Sequence, residues 1–148
     1  MSSEYDKYEK DLEEMQKVNQ EYLDGFKKSL KSSGLTDKTI RNHVSNVDFY
    51  INDFLCYYDI QEVQAGCYDI SGFLGSWFIR KAAWSSSGTI KSMAASIKKF
   101  YKFMLDKGVV KQEDYNYLCD EIKEEMSVWL DKMTRYNNLS EDEDFEDY

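Results

Sequence analysis

Residues 87–105 read SGTIKSMAASIKKFYKFML, and this stretch decides the fold. Ile90, Met93, Ala94, Ile97, Tyr101, Met104 and Leu105 recur at three- and four-residue steps, the period of one helix face. The polar run Ser85, Ser86, Ser87, Gly88 ahead of it is a natural helix start, and Gly108 closes it. Along the same helix Lys91, Lys98 and Lys102 fall within about 40° of one another, and Lys99 lies on a neighbouring face. One segment thus supplies an apolar stripe for a core and a basic stripe for solvent or a ligand.

The same period runs outward in both directions. Upstream, Ile40, Val44, Val47, Ile51, Phe54, Leu55 and Tyr58 mark a long helix opened by Thr36 as N-cap, with Asp37 in its first turn. Residues 4–32 carry Tyr5, Tyr8, Leu12, Met15, Tyr22, Phe26 and Leu30 at helical spacing, with Gly34 as terminator. Asn19 and Gly25 leave open whether this is one helix or two. A loop containing Gly66 leads to a shorter helix capped by Asp69, with Ile70, Phe73, Leu74, Trp77 and Phe78 on one face. Gly72 and Gly75 within it each cost about 1 kcal/mol relative to Ala, unless they allow close helix packing. A last helix carries Tyr115, Leu118, Ile122, Met126, Trp129, Leu130 and Met133. The expected class is all-α: four or five helices around one core. Tyr57, Tyr58, Phe100, Tyr101 and Phe103 sit at helical spacing and are expected in that core.

Composition agrees. The chain of 148 residues is long enough for one domain; apolar residues make up 42% and Pro is absent. Three cysteines at wide spacings (Cys56, Cys67, Cys119) and a single His argue against a zinc site or a disulfide framework, and the cysteines are expected to pack as small apolar groups. No apolar run reaches the roughly 20 residues needed to cross a bilayer. The charged first ten residues lack the apolar core of a secretory signal, so a cytoplasmic protein without membrane contact is expected. No phosphate-loop, nucleophile-elbow or zinc-protease motif occurs. No cofactor and no small-molecule substrate are expected.

The net charge of −9 hides an asymmetry. Residues 26–111 hold thirteen basic and seven acidic side chains, a surplus of six positive charges, so the two ends together carry −15. Both helix starts in the basic centre offer free backbone N–H groups suited to phosphate. Lys38, Thr39, Arg41, Asn42 and His43 occupy the first two turns after Thr36; Ser87, Thr89, Lys91, Lys98, Lys99 and Lys102 belong to the later helix. Lys, Ser and Thr suit phosphates, whereas Arg, Asn and His can also bond base edges. These eleven residues are the candidate DNA-binding set. The alternative is an ordinary solvated lysine face, with His43 at a core boundary. Residues 140–148 hold six acidic residues in nine, and their self-repulsion predicts a disordered tail.

The stretch Phe26 to Leu30, then Ser33, Gly34, Leu35, Thr36, Asp37, Lys38, Thr39, Ile40 and on to Phe54 and Leu55, resembles the opening of a tyrosine recombinase (phage integrase) core-binding domain. Ser76, Trp77, Phe78 and the run from Ser87 to Phe103 resemble a second landmark of that family, a Ser/Thr-initiated helix carrying Phe-Tyr into a Gly turn. The likeness spans about residues 20–132 and implies a SAM-like bundle that forms one jaw of a clamp on double-stranded DNA in integration and recombination. It implies that the second and fourth helices, starting at Thr36 and Ser87, face the duplex. Family catalysis uses an arginine pair, a His and a nucleophilic Tyr on a separate larger domain with no counterpart here, and Tyr148 lacks such surroundings; a non-enzyme is expected. The expected organisation is an acidic helix or extension over residues 1–18, a core-binding-like domain over 19–136 and the acidic tail over 137–148. The alternative function is a recombinase-derived protein-interaction or regulatory module, with a recombinase or another protein as partner.

Overall fold

A computed structural model describes residues 3–146, with side chains described to residue 139. The protein is all-helical, as expected, with no strand among the described residues. Five helices follow one another among those residues: α1 (Ser3–Ser32), α2 (Asp37–Asp48, continued by a π-helical turn Phe49–Phe54), α3, α4 (Ser87–Asp106) and α5 (Gln112–Glu146). Helix α3 is assembled from Ile70–Gly72, the π-helical Phe73–Trp77 and Phe78–Lys81, and a 3-10 turn, Val63–Cys67, precedes it. No helix among the described residues is long and apolar enough to cross a membrane.

Local chemistry sets the helix ends. Thr36 caps α2, its hydroxyl accepting from the Thr39 backbone N–H at 3.3 Å. Ser86 caps α4 through a reciprocal capping box with Thr89. Asp69 stands at the start of α3 but makes no side-chain cap bond. Gly34 and Gly108 adopt φ of 83° and 77° after α1 and α4, a conformation that a side chain would strain. The open question in α1 resolves to one continuous helix. Gly25 receives Phe103 of α4, whose Cζ would lie 3.0 Å from an added Cβ. Asn19 is buried and donates to Asn52 of α2 at 2.8 Å.

The core lies among α2, α3, α4 and the middle of α5, with the second half of α1 laid against it. Val47, Tyr50, Ile51, Phe73, Phe78, Ile90, Ile97, Phe100, Tyr101, Met104 and Leu118 are almost fully buried. Two close approaches define its packing. Gly75 presses on Trp129 of α5, with Cδ1 2.9 Å from where a Cβ would stand, so this small residue does permit close helix packing. Gly72 meets only Phe54, at an ordinary 3.8 Å. Gly66, in the 3-10 turn, lies under Tyr50 and Tyr101. The Tyr50 hydroxyl donates to the Gly66 carbonyl at 2.7 Å and the Tyr101 hydroxyl to that of Val63 at 2.5 Å. These bonds satisfy turn carbonyls inside the core.

Besides the Asp69 cap, three expectations need correction. Tyr57 and Tyr58 are 48% and 68% exposed, not core. The π-helical turn Phe49–Phe54 shifts the register by one residue and α2 ends with it, which carries the two tyrosines out of the apolar stripe. The acidic stretch expected to be disordered continues α5 as helix through Glu146; residues 147–148 lie outside the described residues. Extending an existing helix avoids the cost of nucleation, and Glu is a good helix former, so local repulsion does not decide. Of the cysteines, Cys56 and Cys67 are buried but Cys119 is partly exposed. Burial pushes the Cys67 thiol up to about 12.

Candidate nucleic-acid interface

The eleven candidate residues lie on α2 and α4, which pack against each other. A polar cluster fixes their register. Ser96, fully buried, has its hydroxyl 2.7 Å from His43 Nδ1 and accepts from Asn46 Nδ2 at 3.0 Å. Asn46 also donates to Ser92 at 3.2 Å. Advancing from His43 to Asn46 on α2 thus means retreating toward Ser92 on α4, so the helices run antiparallel.

That direction separates the two helix starts. Thr36 lies seven residues before His43, and Ser87 nine residues before Ser96 in the opposite direction. At 1.5 Å per residue they stand about 24 Å apart along the pair. The candidate residues therefore divide. Lys38, Thr39, Asn42 and His43 share one end with Lys98, Lys99 and Lys102, whereas Ser87 and Thr89 lie at the other, and Lys91 stands between.

Within the first group the roles differ. Lys38, Asn42, Lys98, Lys99 and Lys102 are exposed. Lys102 is paired with Asp106 at 3.2 Å, an exposed pair of little strength. His43 is half-buried on the seam. Burial, and then the nearby Lys99 ammonium, lower its pKa below the ordinary 6.5, which favours the neutral ring. The Thr39 hydroxyl is engaged by Thr36 at 2.9 Å. At the other end the Thr89 hydroxyl is held in the capping box, accepting from the Ser86 N–H at 2.7 Å, while Ser87 remains exposed.

Arg41 points away from the seam, toward α1. It lines an open groove with Lys27, Lys31, Asp37 and Ile40, so the basic surface extends onto a third helix. Lys27 and Lys31 are absent from the set that the sequence suggests. Their four-residue spacing at the end of α1 is the signal that could have found them. Trp84 is absent from it as well. It is 51% exposed at the Ser86 end of α4, and nothing in the periodicity marks a residue in a loop. Among the described residues no group of three or more His, Cys, Asp or Glu side chains is placed to hold a metal ion.

No protein-family model, curated protein or solved structure matches this chain.

Proposed function

We propose that this chain is a cytoplasmic DNA-binding module of the SAM-like, recombinase core-binding kind, and that it grips a duplex through the exposed faces of α2 and α4. The observation that carries the reading is the antiparallel α2–α4 pair locked by His43, Asn46 and Ser96. It supports a continuous two-helix surface with Lys38 and Asn42 on one side and Lys98, Lys99 and Lys102 on the other. Lys27, Lys31 and Arg41 extend it. The lysines neutralise phosphates, and Asn42 and Arg41 are the side chains able to read base edges. The Ser87 end lies roughly 24 Å along the pair from the Thr36 start, about seven base-pair steps at ~3.4 Å each, and is left outside the duplex-facing group.

The test is fluorescence anisotropy of a labelled duplex titrated at several salt concentrations. Binding should weaken linearly in log salt. Replacing Lys98, Lys99 and Lys102 by Ala should flatten the slope by about 0.9 for each phosphate no longer neutralised. A triple variant that binds with an unchanged slope removes this face from the proposal.

One observation favours a second reading, a protein-interaction module. Met133 is the last buried residue of α5 among the described side chains; Tyr136 and Leu139 beyond it are 40% and 62% exposed on a helix that goes on into the acidic stretch. An acidic helix with exposed apolar groups suits a basic protein surface. Loss of a protein partner on truncation after Asn138, with DNA binding absent in the full chain, would decide for it.

A further inference from the structure

The end of α4 that the duplex-facing surface leaves aside carries a run of aromatic rings open to solvent. Trp84 contacts Phe49 and Phe78, with ring centroids 5.4 and 4.9 Å away. Phe49 is 5.6 Å from Trp77, Trp77 is 5.3 Å from Tyr57, and Tyr57 is 4.8 Å from Tyr58. The outer members, Trp84, Tyr57 and Tyr58, are about half or more exposed, and the inner ones are packed in the core. Two inner rings of the run, Phe49 and Trp77, stand in the π-helical turns Phe49–Phe54 and Phe73–Trp77. Between them and α1 lies an open groove of about 460 Å³, lined by Tyr8, Phe49, Asp53, Tyr57, Trp77 and Lys81 among others. The Trp77 indole N–H is buried without a hydrogen-bond partner among the described residues, although the ring lines this groove.

Cations border the aromatics. Lys81 Nζ stands 5.3 Å from the centre of the Tyr57 ring. Arg80 is exposed beside it in the last turn of α3, and Lys91 is exposed one turn into α4. The first N–H groups of the 20-residue α4 open at Ser87 and Gly88, next to Trp84. Exposed rigid aromatics next to cations and a helix N-terminus match what an unpaired nucleic-acid strand requires: π-faces for bases, positive groups for the backbone. Asp53 is the one carboxylate lining the groove among the described residues, and it can accept from an exocyclic base amine.

We infer that Trp84, Tyr57 and Lys81 form a stacking site for unpaired bases of a single-stranded nucleic acid, with the phosphates running past Arg80, Lys91 and the Ser87 end of α4. This rests on the nucleic-acid reading above and adds a second, strand-selective surface to it. A protein of this design holds a duplex on the α2–α4 face and a separated or frayed strand at the aromatic end.

Tryptophan fluorescence tests it directly. Trp129 is 1% exposed and does not line the groove, so quenching by an added oligonucleotide reports on Trp84 and on Trp77, which lines it. A deoxycytidine 12-mer should quench the full-length protein's emission and bind at low salt. Trp84→Ala and Tyr57→Ala should each weaken that binding about 10-fold, Trp84→Phe should retain most of it, and Lys81→Glu, at an exposed position that preserves the fold, should weaken it further. Duplex affinity of these variants should stay within about 2-fold, with far-UV circular dichroism unchanged. Single-strand binding indifferent to all four changes overturns the inference while leaving the duplex reading intact. Trp84 emission that ignores the oligonucleotide but shifts with protein concentration marks a contact between copies and also overturns it. Absence of both duplex and single-strand binding overturns the two readings together.

Discussion

The Ser96 hydroxyl, fully buried on α4, lies 2.7 Å from Nδ1 of His43 on α2. This contact ties together the two helices that carry every candidate DNA-binding residue read from the sequence. It also puts the protein's single histidine where burial and Lys99 both oppose its protonation.

The pH dependence follows from that opposition. The folded pKa of His43 is lowered from 6.5, so as pH falls below about 6.5 the unfolded chain takes up a proton before the folded one does. The contribution of neutral His43 to stability is complete above the unfolded pKa and is lost as pH falls toward the folded pKa, below which no further loss occurs from this group. With one histidine in the chain, its ring proton resonances need no assignment. Their titration midpoint should lie below 6.5, and Lys99→Gln should raise it. A midpoint at or above 6.5 contradicts the seam described here.

Gly66→Ala should be strongly destabilising. An added Cβ would stand 1.9 Å from the Tyr101 hydroxyl oxygen, which is itself bonded to the Val63 carbonyl in the core. Forced overpacking costs about 1–3 kcal/mol, and the strained hydrogen bond adds to it. Urea unfolding should show the midpoint drop; Gly72→Ala, with only an ordinary contact to Phe54, should stay within about 1 kcal/mol of the parent.

Gly75→Ala tests the α3–α5 contact. Its Cβ would meet Trp129 at 2.9 Å and 3.1 Å, so the substitution should cost about 1–3 kcal/mol although Ala is the better helix former. Trp129→Phe should recover part of that loss in the double variant, because the two positions share one contact. Additive losses would place the strain elsewhere.

Removing residues 137–148 should leave thermal stability nearly unchanged. The last buried side chain of α5 among those described is Met133, and residues 134–139 are all exposed. The shift in unfolding free energy should stay within about 0.5 kcal/mol, as for other surface changes. A loss of several kcal/mol would mean that the acidic end of α5 packs on the domain.

Much of the fold was legible because helix periodicity is local. The stripes of α2 and α4, the Thr36 cap, the start of α4 at Ser86 and the glycine stops at Gly34 and Gly108 all follow from residues within a few positions of one another. The departures have local causes too. The π-helical turn at Phe49–Phe54 is a register shift that an ideal 3.6-residue period does not contain, and it carried Tyr57 and Tyr58 outward. Charge repulsion at the acidic end is a real force, but it competes with propagation of a helix already nucleated.

By itself the sequence determined the class: an all-helical chain with a basic centre, acidic ends and two capped helices bearing candidate DNA contacts. Composition and periodicity are properties of the chain, and they survive any arrangement of the helices. Only the tertiary structure decided which of those residues stand together. The antiparallel packing of α2 on α4, set by buried Ser96 between His43 and Asn46, parted the two helix starts, turned Arg41 toward Lys27 and Lys31, and left Trp84 and Tyr57 open at the far end. Such relations join residues some fifty positions apart, and side-chain packing rather than local propensity sets them.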